Sequence, residues 1–364
     1  MKKIIWIPLL IIALGVVLAW VGCASGGMQG FRIDRGGIHL AKEDRGKLVK
    51  VDENYSSFTS IDVKADYFDR IVLKEGDGFA VKGQNYERNG GLDVKLDGNT
   101  LLVNSRQERG WNLNFGLDEW FNGFGNDTWL EITYPKSSKF DNIQLDVSAS
   151  NIFASGLDCK EIFVNNSFGD VDISTAKCGS LRLSADSGEI SLNGVEVDGK
   201  ADIVNRFGDV ELTDLRAVNL STDLDSGKVK INNAVAGTFS VTNNFGEVEI
   251  DKAEAENMTL KLNSGDLSAK NLKTGELTVK NSFGTITLNQ LVFSGLCSIK
   301  NDSGDVNILL SMNEDELSYE LNVDSGNVSV GDRNSGGSVS SRAAGATANL
   351  VAECSFGDIK LKFM

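Results

Sequence analysis

Short runs of alternating apolar and polar residues recur along the second half of the chain. They flank turns that end on a glycine, and the intervals between these glycines are 19, 20, 19, 19, 19, 19, 20, 22 and 31 residues. The turn glycines are Gly169, Gly188, Gly208, Gly227, Gly246, Gly265, Gly284, Gly304, Gly326 and Gly357. Self-similarity at a fixed short period is typical of a repeat architecture in which each unit packs mainly on its neighbours.

The apolar residues occupy the same columns in successive units. They stand seven and five residues before the turn glycine and two, four and seven after it, as in Val171, Ile190 and Val210. Period-two alternation predicts strands with one buried face. Identical columns predict that like residues lie above one another, about 4.8 Å apart. The predicted fold is all-β, a single-chain β-solenoid of about ten to eleven coils of 19–20 residues.

The residue before the glycine alternates between Phe and Ser over eight turns, from Phe168 and Ser187 to Phe283 and Ser303. Three residues before the glycine, Asn accompanies Phe in four of these units, and Asn301 is an exception. We predict that both positions face one interior corner, where a ring in one coil is offset by a smaller neighbour. The buried Asn side chains would then need turn amides as partners.

The pattern divides the chain into four parts. Residues 1–23 are a membrane anchor or lipoprotein signal, 24–50 a stalk, 51–144 an irregular β region that caps the solenoid, and 145–364 the solenoid repeats. Residues 331–348 are rich in Gly, Ser and Ala and indicate a loop or a poorly packed coil. Because little chain remains to cover the last coil, we predict an exposed edge there and self-association through the C-terminal coil.

The amino terminus predicts the location of the protein. Residues 4–22 carry no charge, and nineteen residues of helix cover about 28 Å, enough to cross a bilayer core. We favour an uncleaved anchor. The alternative is a lipoprotein signal cut before Cys23, which would then be the lipidated residue. In both cases the cell membrane holds a single N-terminal segment and the bulk of the chain is extracytoplasmic.

Composition excludes several function classes. The formal charge of −15 argues against nucleic acid, which needs clustered Lys and Arg. With one histidine, His39, and five cysteines without a CxxC pair, we expect no histidine-based catalysis, no metal site and no cofactor. Cys159 and Cys178 share one column in successive units. Buried free thiols are the favoured prediction for them, and a disulfide is the alternative.

Two groups of residues are weighed as binding sites. The candidate partner surface is aromatic and comprises Trp111, Phe115, Trp120, Phe121, Phe124 and Trp129. We favour a cap on the first coil over a binding role for it. The acidic residue after many turn glycines, as in Asp170, could form a Ca²⁺ row, but solvated charges that protect a β surface are the better explanation. The short units leave no room for long active-site loops, so we predict no enzyme activity.

The turn units NNSFGDVDI (165–173) and SADSGEISL (184–192) resemble the putative-adhesin β-strand-repeat family of unknown function, bacterial cell-envelope proteins that are LiaG-like in arrangement. The resemblance covers about residues 50–364 and supplies no catalytic residues. It implies a non-enzymatic, membrane-tethered, adhesin-like binding or scaffolding surface, with an envelope protein or glycan as partner. The alternative is an accessory or sensory subunit of an envelope-stress response that acts through membrane-protein partners.

Overall fold

The computed structural model describes residues 31–34, 37–40, 46–107, 113–115 and 128–364. Near the amino terminus, β1 (Phe31–Asp34) pairs antiparallel with both β2 (Gly37–Leu40) and β8 (Leu113–Phe115). The membrane segment predicted from residues 1–23, including Cys23, lies outside the described residues. Among those described, no helix is long and apolar enough to cross a bilayer.

All other strands belong to one sheet of twenty strands. Its N-terminal part consists of β3 (Leu48–Tyr55), β4 (Ser60–Glu75), β5 (Phe79–Tyr86), β6 (Asp93–Asp97), β7 (Thr100–Ser105) and β9 (Trp129–Tyr134), with a short 3₁₀ turn at Glu87–Asn89. Strand β4 pairs in parallel with β7 and β9. It also pairs in parallel with the first strand of the repeats, so this region hydrogen-bonds directly onto them.

The regular repeats form long strands, each bent around the core. They are β10 (Phe140–Phe168), β11 (Val171–Ser187), β12 (Ile190–Phe207), β13 (Val210–Ser226), β14 (Val229–Phe245), β15 (Val248–Ser264) and β16 (Leu267–Phe283). Consecutive strands pair in parallel and in register, so that Val171 lies opposite Ile190 and Ile190 opposite Val210. All three side chains are buried, so the predicted columns are confirmed.

Each repeat unit bends at two fixed positions where φ is positive. One is the turn glycine, as in Gly265 at +145°. The other lies six residues later, in a column that holds Gly156 and Gly194 beside residues such as Thr175 and Asn233, whose φ values are +52° and +56°. Such values are uncommon for residues other than glycine. Sequence periodicity alone gave no signal for this second bend, because its column is chemically mixed.

The C-terminal end departs from chain order. It contains β17 (Ile286–Phe293), β18 (Leu296–Ser303), β19 (Val306–Leu310), β20 (Leu317–Val330), β21 (Arg333–Ser341), β22 (Ala348–Phe356) and β23 (Ile359–Phe363), with a 3₁₀ turn at Glu314–Glu316. Strands β18 and β19 pair with β22 and β23. Strand β20 pairs with β22 and β23 along their opposite edges. The last strands of the chain are therefore inserted between two earlier layers.

This insertion corrects two predictions about the C-terminal end. The C-terminal coil is not an exposed edge, because β20 covers β22 and β23. Residues 331–348 are not simply a loop, since they contain β21, which pairs antiparallel with β20 and forms the outer layer. A self-association surface at this end would therefore be presented by β21, whose side chains are largely exposed.

The buried side chains form one continuous apolar core from Phe58 to Leu361. The prediction of an all-β repeat fold is confirmed. The sheet closes around this core as a barrel, whereas the sequence predicted a β-solenoid. Cys159 and Cys178 are buried free thiols in the structure, opposite each other on β10 and β11. Their mutual hydrogen bond and burial raise the pKa of Cys159.

Candidate functional site on the turn edge

The glycine turns stack into one straight border of the sheet, which we call the turn edge. In nine of the ten turns, the glycine amide donates to the carbonyl oxygen of the residue before the glycine of the adjacent turn, as from Gly265 to the Phe283 carbonyl oxygen at 2.9 Å. A Cβ at Gly265 would overlap the carbonyl oxygen of Gly246. Glycine is therefore required both by its positive φ and by the close approach of adjacent turns.

Acidic residues after the glycine have a structural role at this edge. The Asp209 carboxylate accepts the Lys228 backbone amide at 2.8 Å, and Asp266 accepts that of Thr285 at 2.7 Å. Each side chain thus joins its own turn to the next one. In the described part of the chain, no three His, Cys, Asp or Glu residues are grouped so that they could hold a metal ion.

Asparagine side chains three residues before the glycine point into the core. Asn166, Asn205, Asn243, Asn281 and Asn301 are all buried. The Asn243 Nδ2 atom donates to the Gly227 carbonyl oxygen at 3.0 Å, and Asn301 donates to the Gly284 and Gly304 carbonyl oxygens at 3.0 and 2.8 Å. The inward orientation was predicted correctly, but the partners are turn carbonyl groups rather than amides.

The phenylalanines before the glycine point outward, so the predicted interior position is wrong. Five of them line the turn edge with 57% to 64% of their surface exposed; they are Phe168, Phe207, Phe245, Phe283 and Phe356. Inward and outward positions alternate only as far as the residue three before the glycine. The chain then bends into the turn, and the next aromatic side chain leaves the core. We call this row the phenylalanine ladder.

The alternation of Phe and Ser holds in space throughout the repeats. Ser303 lies opposite Phe283 on one side and Phe356 on the other, and Phe356 also lies opposite Ser325. In the sequence, by contrast, Ser303 and Ser325 belong to two successive turns, and Phe356 belongs to the last turn. Inserting β22 and β23 between earlier layers therefore restores the strict alternation. The rings recur every second strand, about 9.6 Å apart, over about 38 Å.

One end of the ladder continues into the N-terminal part. A depression of about 220 Å³ adjoins Phe168 and is lined also by Tyr67, Ala149 and Asn151. Tyr67 lies opposite Ala149, which stands nineteen residues before Phe168. An aromatic, a small and an aromatic residue thus follow one another here as they do along the ladder.

The predicted aromatic partner surface falls mostly on residues that the structure does not describe. Trp111, Trp120, Phe121 and Phe124 lie outside the described residues, and only the backbone of Phe115 is described, in β8. Trp129 is half-buried in β9, opposite Arg70 on β4 and Gln84 on β5. The phenylalanine ladder was visible in the sequence, but it was assigned to the core because period-two alternation was extended through the turn.

The chain matches a known protein family over most of its length. The family model Toastrack DUF4097 matches residues 58–220 and again residues 201–362. The chain belongs to the Toastrack DUF4097 family. The two matches together span most of the chain. The first match starts at residue 58, so the part of this Toastrack protein that matches the family includes most of the region predicted to cap the repeats. No curated protein is similar enough to count as a relative.

Three solved structures match this chain over most of its length. A "putative lipid binding protein" from Parabacteroides distasonis is 12% identical, covering 86% of this chain and 97% of its own, with a TM-score of 0.37. A "putative adhesin" from the same organism is 9% identical over 88% and 98%, with a TM-score of 0.33. A "putative adhesin" from Bacteroides fragilis is 13% identical over 86% and 97%, with a TM-score of 0.23.

Proposed function

We propose that this Toastrack protein is a non-enzymatic, adhesin-like binding surface at the bacterial cell envelope. The observation that carries the proposal is the phenylalanine ladder. Exposed apolar patches on a folded protein mark interaction sites, and aromatic rings contribute strongly to binding energy when a partner covers them. A row of five rings offers many weak contacts along one line.

The ladder is not explained by folding. Ser occupies the same column in every alternate unit, with the same glycine turn, so the turn itself does not need a ring. A ring that remains about 60% exposed gains little from burial. The restored alternation at β22 further indicates that the spacing of the rings matters on the surface.

Several finer features are part of the same proposal. The N-terminal segment, with Cys23 as the lipidation candidate, would tether the protein to the membrane and leave the repeats outside. The short, nearly constant repeat length supports a binding role over catalysis, because it leaves no long loops to build an active site.

The test compares two sets of exposed apolar side chains in the full-length chain, reconstituted in lipid vesicles. The ladder variant is F207S/F245S/F283S, which gives three of the Phe turns the serine that the alternate turns carry. The control variant is V218S/V292S, at exposed positions away from the turn edge. Retention on isolated cell-envelope glycan and on intact cells should be lost in the ladder variant and kept in the control. Equal retention of the two variants would refute the proposal.

A photo-crosslinker placed at Phe245 in intact cells identifies what touches the ladder. Recovery of envelope glycan or of material from foreign cells supports the adhesin-like function. Recovery of one membrane protein alone would instead support the alternative, an accessory or sensory subunit that acts through a membrane partner.

A further inference from the structure

Exposed lysines in the repeats usually lie opposite a carboxylate on the neighbouring strand. Lys230 pairs with Glu211 at 2.7 Å, Lys270 with Asp251 at 3.0 Å, and Lys273 with Glu254 at 2.6 Å. In each case the two residues are register partners. Lys270 and Asn271 hold the pKa of the Asp251 carboxyl below its ordinary value. Opposite charges across strands stabilise a sheet, and this arrangement follows that rule.

Three other lysines lie opposite one another. Lys261 lies opposite Lys280, and Lys280 lies opposite Lys300, with all three side chains exposed. We call them the lysine stack. Within the described part of the chain, none of the three forms an ion pair. Like charges directly opposite on adjacent strands are destabilising, and the protein carries a net charge of −15 with ample carboxylates for pairing.

The surroundings of the lysine stack are polar and largely uncharged. Hydroxyl groups of Thr259, Thr278 and Ser298 form a column beside it on the same face. At one end of the stack, Lys300 has Glu353 as its register partner on β22 and Asp302 two residues ahead on its own strand, but in the described structure it forms an ion pair with neither. The face therefore presents three cations and several hydroxyl donors in a line along the stacking direction.

The lysine stack also adjoins the phenylalanine ladder. Lys280 stands three residues before Phe283 on the same strand, which is about 10 Å along an extended chain. Both rows run in the same direction, since each is made of register partners on successive strands. A linear ligand lying along the repeats could thus contact cationic groups on one side and aromatic rings on the other.

We propose that the lysine stack binds an anionic glycan strand, with carboxylate or phosphate groups on the lysines and sugar rings against Phe283 and Phe245. The proposal rests on the binding function proposed above and names its ligand class. Charge favours a strand over an anionic membrane surface. A strand touches only the cationic row, whereas a broad membrane surface would also meet the acidic residues that dominate the rest of the protein.

The experiment measures binding of the full-length chain in detergent to polygalacturonate, a linear polymer with one carboxylate per sugar. Amylose serves as the neutral polymer, and vesicles of phosphatidylglycerol represent an anionic membrane. The variants are K261Q/K280Q/K300Q and a control, K230Q/K270Q/K273Q, which removes the same number of positive charges from paired lysines. Thermal unfolding of both variants verifies that they are folded, and K280Q and K273Q form a second matched pair if a triple variant fails to fold.

Polygalacturonate should bind the natural chain and the control, and should bind the stack variant about tenfold more weakly. Binding should weaken as salt is raised, less steeply in the stack variant. Equal affinity for both variants, or equal binding of amylose, overturns the proposal. Vesicle binding that depends on the stack overturns it in favour of a membrane surface. If polygalacturonate does not bind while retention on envelope still requires the phenylalanine ladder, this inference fails and the proposed function stands.

Discussion

The regular repeats from β10 to β16 and the C-terminal end from β18 to β23 reach the same surface by different routes. In the regular repeats, each strand pairs with the next strand of the chain. At the C-terminal end, β22 lies between β18 and β20, so spatial order and chain order differ. Nevertheless the glycine column, the buried columns and the alternation of Phe and Ser continue without interruption.

This comparison shows that the column pattern belongs to the folded surface. Simple duplication of a two-unit segment would alternate Phe and Ser along the sequence, and the sequence does not do so after Ser303. The spatial neighbours do alternate. Each residue column has therefore been kept compatible with the layer it actually contacts, as close packing and ladder hydrogen bonding require.

The largest expected effect tests the inserted position of β22. Ala352 is buried between Ile299 on β18 and Leu321 on β20. We expect Ala352→Pro to lower the free energy of unfolding by more than about 4 kcal/mol, since proline removes a ladder donor from a central strand. Ser338→Pro in the outer strand β21 should cost less than about 1 kcal/mol. Urea titration measures both, and similar costs would mean that β22 is an edge strand.

A second prediction compares turn glycines across the two regions. Gly265 and Gly357 have φ of +145° and +144°, and a Cβ at either would overlap the carbonyl oxygen of the turn beneath. We expect Gly265→Ala and Gly357→Ala each to cost about 3 kcal/mol. Gly336→Ala in β21 meets nothing within 4 Å and should be nearly neutral. A tolerated alanine at Gly357 would contradict its placement on Gly304.

A third prediction concerns the buried asparagines. Asn243 belongs to the regular repeats and Asn301 to the C-terminal end, and both donate to carbonyl groups of the adjacent turn. Replacement by Leu, which neighbouring units carry as Leu224 and Leu262, should lower the free energy of unfolding by about 1–2 kcal/mol because the carbonyl oxygen loses its donor. Chemical denaturation of Asn243→Leu and Asn301→Leu measures this. A stabilising effect at both sites would show that these hydrogen bonds are dispensable.

The smallest expected effect concerns the phenylalanine ladder. Phe245 and Phe356 are 57% and 64% exposed, so Phe245→Ser and Phe356→Ser should each change the free energy of unfolding by less than about 0.5 kcal/mol. Phe239, in the same repeat unit as Phe245, is fully buried, and Phe239→Ser should cost about 4 kcal/mol. Thermal unfolding compares the three. A large loss of stability in Phe245→Ser would mean that this ring is buried in the core.

Much of the fold could be predicted because the strand period and the repeat period are both local signals. Val171 and Ile190 share a column in the sequence and a register position in the sheet. The orientation of Phe245 could not be predicted by extending that period, because the turn geometry decides where alternation stops. The lysine stack was readable as Lys261, Lys280 and Lys300 at intervals of 19 and 20 residues, but its meaning needed the paired lysines as a reference.

The sequence by itself determined the strands, the repeat length, the inward columns and the glycine turns, since each follows from side-chain periodicity and backbone sterics within one unit. Only the tertiary structure decided which layers are neighbours at the C-terminal end and which side chains at the turn face solvent. Those outcomes depend on pairing between strands far apart in the chain, where β22 fits between β18 and β20 because it satisfies the ladder hydrogen bonds of both. Local sequence patterns do not encode that choice.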